Sequence, residues 1–68
     1  MNFVNDIRSA NDEWALLNLD AICWVEPIVM IDARGNSTPS SRVWFIGGTR
    51  ADFFIAPAKL WSRMRGEI

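Results

Sequence analysis

The sequence predicts a small α+β domain: a three- or four-stranded antiparallel β-meander with a C-terminal helix laid on one face. Three observations lead there. Short apolar runs rich in Val, Ile, Phe and Trp recur along the chain. Gly, Pro, Asn and Asp punctuate them. After Pro57 the apolar residues Leu60, Trp61 and Met64 change to a helical spacing. With 68 residues, no internal repeat and no composition break, residues 1–68 form a single small domain.

In chain order, Phe3, Val4 and Ile7 stand at helical spacing and Asn2 is a capping residue type, so a short N-terminal helix is expected within 2–11. Asn11-Asp12-Glu13 reads as a turn. Residues 14–19 form the first strand, although Ala and Leu favour helix intrinsically. Asn18-Leu19-Asp20 ends it, because Asn and Asp side chains bond their own backbone two residues on. Residues 22–32 are the longest β-rich run. Pro27 inside it lacks the N–H of a central strand, which marks a sheet edge or a bulge with strands on either side. Residues 33–41, with Gly, Asn, Pro and four hydroxyl residues in nine positions, are expected to be a flexible loop. Strands at 42–47 and 51–56 then flank Gly47-Gly48-Thr49-Arg50, whose glycines supply the positive φ of a tight turn. Pro57 opens the helix, where its missing N–H costs nothing, and Gly66 is its C-cap.

Composition narrows the function classes. Half of the residues are hydrophobic, with four Trp and four Phe, which excludes a disordered chain. Seven basic and eight acidic residues leave a net charge of −1, whereas binding through nucleic-acid phosphates calls for a basic excess. No apolar run approaches roughly eighteen residues, so no membrane span is expected. The opening MNFVNDIRSAND lacks the order of a signal peptide, which points to the cytoplasm. One cysteine, Cys23, cannot close an internal disulfide, and without histidine no zinc site is expected. A single core in a chain this small rarely supplies more than roughly 3–5 kcal/mol. Self-association is the supplement that remains.

The segment RVWFIGGTRADFFIAPAKLW, residues 42–61, is apolar at nearly every strand position rather than at every second one. So short a chain cannot cover both faces of such a hairpin. Strand alternation puts Trp24 with Ile22 and Glu26, opposite Cys23 and Val25, and Trp44 with Ile46, opposite Val43 and Phe45. If Val43 and Phe45 face the helix, Trp24 and Trp44 share the uncovered face. Trp24, Trp44, Ile46 and Phe54 are therefore the candidate interface of a homo-oligomer and of a protein partner, since Trp is enriched in binding hot spots. Ordinary core and ligand stacking are the competing roles for these rings.

The alternative function is a nucleic-acid-binding module that stacks bases on Trp and Phe and contacts phosphates through Arg42, Arg50 and Arg63. Basic residues in the last turn of a helix also simply complement its dipole. Ser37, Thr38, Ser40 and Ser41 beside Arg34 and Arg42 show no phosphate-loop spacing. Cys23 has no base or cation beside it in sequence and reads as a small apolar filler. Asp12-Glu13 belongs to a turn, and Glu26 and Asp32 bracket a strand. No catalytic residue, cofactor or metal site is expected, and the chain reads as a non-enzymatic protein of bacterial or phage origin.

The order WALLNLDAICWVEP, a Gly/Asn loop, VWFIGG and DFFIAPAKLW resembles the FlbD-like family of very small bacterial proteins found in flagellar operons. That family runs strand, Leu-Asn with an Ile-x-x-Ile-Glu stretch, Pro, strand, glycine turn, strand and closing helix. The resemblance covers about three quarters of the chain and departs in the longer loop at 33–41 and in the tryptophan content. It implies the same topology and carries over no catalytic residue.

Overall fold

The computed structural model describes residues 2–66. Five strands, a 3₁₀ turn and one helix follow one another: β1 (Phe3–Arg8), β2 (Trp14–Asn18), the turn Leu19–Ala21, β3 (Ile22–Ile31), β4 (Ser37–Phe45), β5 (Arg50–Phe53) and α1 (Pro57–Met64). β3, β4 and β5 make an antiparallel meander, and β1 and β2 a separate antiparallel pair. A bridge between Ser9 and Phe53 joins the two sheets. Beside it the Ala10 N–H donates to the Asp52 carbonyl at 2.9 Å, and the Phe54 N–H to the Arg8 carbonyl at 2.8 Å. The fold class is the α+β meander with a closing helix that the sequence predicts.

The N-terminal segment is β1, not the expected helix, and the reason is local. Val4 pairs with Leu17 and Ile7 with Ala15, so β1 spends one residue more than its partner over that stretch. This irregularity brings two side chains three positions apart onto one side of a strand. Val4 and Ile7 both join the core. A bulge thus imitates helical spacing.

The loop expected at 33–41 is shorter, because β4 already begins at Ser37. Asp32 organises the tight turn: its Oδ1 accepts the backbone N–H of Arg34 and of Asn36, each at 2.9 Å. These bonds, that of Asn36 foremost, hold the Asp32 carboxyl below its ordinary pKa. Ser40 and Ser41 are fully buried, yet both hydroxyls find carbonyls, those of Thr38 at 2.9 Å and Ile55 at 2.6 Å. Satisfied hydroxyls let a serine-rich stretch occupy a strand. Its partner β3, the outer strand of the meander, runs unbroken through Pro27, which pairs with Ser41 on central strand β4. β4 and β5 end at Phe45 and Phe53, short of the expected 47 and 56. Between β4 and β5, Gly47 and Gly48 take φ of +103° and +92°.

The core gathers one residue from each of six elements: Ile7, Leu17, Leu19, Val43, Phe53 and Leu60. Val43 is fully buried with Leu60, so the Val43 side of the meander is the covered one. α1 turns Leu60 and Met64 inward. Trp61, expected on the same face, is 56% exposed, as its position about 100° around the helix from Leu60 requires. No helix among the described residues is long and apolar enough to cross a membrane.

Candidate functional site

The outer face of the meander is built by alternation from β4. Since Val43 points into the core, Arg42 and Trp44 point away from it. Trp24 on β3 lies directly across from Trp44, and Arg50 on β5 lies across from Trp44 on the other side. The neighbouring row is Glu26, Arg42 and Asp52. A cleft of about 560 Å³ opens at this end of the sheet, lined by Trp24, Trp44 and Ile46 with Cys23, Glu26 and the glycine turn. Trp24 is 62% exposed and Ile46 71%.

The polar groups of the face are mutually satisfied. The Trp44 indole Nε1–H donates to Glu26 Oε1 at 2.7 Å, and the Arg50 guanidinium sits 5.2 Å from the centre of the Trp44 ring. Arg42 donates through Nε to Asp52 Oδ1 at 3.0 Å, and this carboxylate raises the guanidinium pKa above its usual value. The chemistry left over is apolar contact.

Trp24, Trp44 and Ile46 are brought together as the sequence suggested, but Phe54 is not. It lies past the end of β5 and lines two separate grooves, one with Arg8, Asp32 and Thr38, the other with Pro39 and Lys59. Cys23, expected inside as a filler, is exposed. In the β3–β4 ladder Ile22 pairs with Phe45 and Trp24 with Trp44, so Cys23 is the extra residue of a bulge. The bulge sends Cys23 outward with Trp24 and turns Ile22 into the core. Of the three arginines named for nucleic acid, Arg42 is paired with Asp52, and Arg63 grips Asp6 at 2.8 and 2.5 Å. That second bridge lowers the Asp6 pKa and raises that of Arg63. The three do not form one patch: Arg63 stands on α1, and Arg42 and Arg50 on the sheet.

Further apolar residues are exposed beyond the candidate interface, among them Leu16 on β2, and Val29 and Ile31 on β3. Unbroken pairing from Val25 to Ile31 puts Val29 and Ile31 on the Val25 side of β3, yet both are exposed. No family model matches the chain, and no curated protein or solved structure does either.

Proposed function

We propose that this protein is a small, non-enzymatic interaction module that associates with a second copy of itself through the outer face of the β3–β4–β5 meander. The observation that carries this reading is the pairing of Trp24 and Trp44 beside an apolar cleft, on the side of the sheet away from the core. Large rings cost a small soluble chain solubility unless something covers them. The need for cover is quantitative as well. A stable interface takes about 800 Å² from each partner, roughly a sixth of the 4778 Å² surface of this chain. Pro27 in the middle of outer strand β3 favours a face-to-face contact over addition of another strand.

In this reading the assembled form works in the cytoplasm of a bacterium or phage-infected cell by holding another protein. The resemblance to FlbD-like proteins is compatible with it through strand order and the glycine turn. The nucleic-acid alternative loses ground on charge, since Arg42 and Arg63 already have carboxylate partners. The test is the mass of the assembly by sedimentation equilibrium, with Trp24→Ser beside the native chain. The native protein should self-associate at micromolar concentrations, and the variant should stay folded by circular dichroism but become smaller. A native chain that is monomeric at high micromolar concentration and binds no apolar dye would remove the proposal.

A further inference from the structure

The four tryptophans are not treated alike. Arg8 lies 4.6 Å from the ring centre of Trp14, Arg50 5.2 Å from that of Trp44, and Arg65 5.5 Å from that of Trp61. Each is within the roughly 6 Å at which a guanidinium is attracted to an indole face. Trp24 carries no such cover among the described residues.

Sheet topology explains the exception. Trp44, on central strand β4, has a cross-strand neighbour on each side, Trp24 and Arg50. Trp24, on outer strand β3, has only Trp44. Along its own strand Ile22 is turned into the core and Glu26 is an anion. A cation for Trp24 has to come from another molecule.

The row Trp24, Trp44, Arg50 is self-complementary. When two such faces meet about a two-fold axis parallel to the strands and passing by Trp44, the row of one copy opposes the reversed row of the other. Trp44 then meets its own counterpart, and each Trp24 meets an arginine, twice per dimer. A two-fold contact requires such a pattern, in which residue i meets j and j meets i. We infer that Arg50 of the partner subunit caps Trp24, its guanidinium held between one tryptophan of each copy. This rests on the proposed self-association and adds its register.

A double-mutant cycle on the dimer tests the pairing. Within one chain Arg50 touches Trp44 and not Trp24. Any coupling passed through the shared neighbour Trp44 also appears in the same cycle on monomer stability, so coupling between positions 24 and 50 in the dissociation constant beyond that value reports the contact across the interface. Trp24→Leu keeps apolar bulk while removing the indole, and both residues are exposed, so the variants should fold. Arg50→Ala should raise the dimer Kd roughly five- to thirtyfold in the native background, as expected for losing two cation–π contacts. In the Trp24→Leu background it should raise it less than about twofold. Equal effects in both backgrounds would overturn this pairing while leaving the dimer standing. A native chain that does not dimerise would overturn the interface itself, and this register with it.

Discussion

Leu60→Ala probes where the stability of the single chain resides. Leu60 has no exposed surface and is the one buried residue of α1. Removing three carbons from such a site costs about 2–5 kcal/mol, with the cost set by how far the surroundings collapse into the cavity. Here collapse is resisted, because the six core residues stand on six different elements. Val43 and Phe53 are held by the β4–β5 ladder, and Leu17 by its pairing with β1. A loss of about 4 kcal/mol, toward the upper end, is expected on that ground.

The whole stability of a 68-residue chain is only about 3–10 kcal/mol at the usual 0.05–0.15 kcal/mol per residue. If it is about 5, the variant keeps about 1, and roughly one molecule in seven is unfolded at 25 °C. Thermal melts by far-ultraviolet circular dichroism at one fixed concentration should fall by about 16–32 °C, taking 4–8 °C per kcal/mol for a domain of this size. Lys59→Ala, one residue away and exposed, is the control and should shift the melt by no more than about 4 °C. A Leu60→Ala melt within that same margin of the native chain would refute the reasoning, since the helix would then not be held by this contact.

Gly48→Val should lower the melt clearly more than Thr49→Val. Gly48 has φ +92° with open space where a Cβ would stand, so the cost is backbone strain alone, about 1–3 kcal/mol; equal melts would count against this turn. Cys23 should react with a thiol reagent at an unhindered rate in dilute solution and more slowly where the chain self-associates, whereas slow reaction at every dilution would contradict its exposure at the bulge. Asp6 and Asp32 have folded-state pKa values below the ordinary 3.8, so the stability they contribute is present above 3.8 and is lost as the pH falls through the depressed values. Acid unfolding of Asp6→Asn should accordingly be less steep below about pH 4 than that of the native chain, and an unchanged slope would show that the Arg63 bridge is not linked to folding. A mixed oligonucleotide should leave tryptophan fluorescence unquenched at low salt, and salt-sensitive quenching would restore the nucleic-acid reading with Arg42, Arg50 and Arg63.

Alternation and turn chemistry made much of this fold legible. Val43 against Trp44, the Gly47-Gly48 turn, the side chain of Asn18 accepting the Asp20 N–H at 3.0 Å, and Pro57 opening α1 all follow from residue type and spacing. Failures cluster where one extra residue inverts the faces. Between Val4 and Ile7 the irregularity produced a false helical period, and at Cys23 it put Ile22 and Trp24 on opposite sides although they are two apart. A bulge leaves no mark in composition; it is set by the register of the partner strand. Phe54, expected within a strand at 51–56, stands off the outer face because β5 ends at Phe53 in a bend. The serine-rich start of β4 was hidden because hydroxyls disfavour strand interiors unless carbonyls are supplied from elsewhere, as Ile55 does for Ser41.

The two faces of β4 therefore divide the demands on a very short chain. The inner face carries Val43 into a core of six buried hydrophobic residues, and the outer face carries Trp44 into a row whose polar groups satisfy one another. Exchanging those roles is not open to the sequence, because a one-residue slip of register would send Trp44 into the space that Val43 fills and expose Val43. In the proposed assembly, the burial that the interior is too small to provide is provided by association, so folding and self-association act on one equilibrium. Stability would then rise with protein concentration, and the outer face would be under the same demand for packing as the core. In that assembly the shared demand would fall on Trp24 and Trp44, the large rings that the outer face sets among Glu26, Arg42, Arg50 and Asp52.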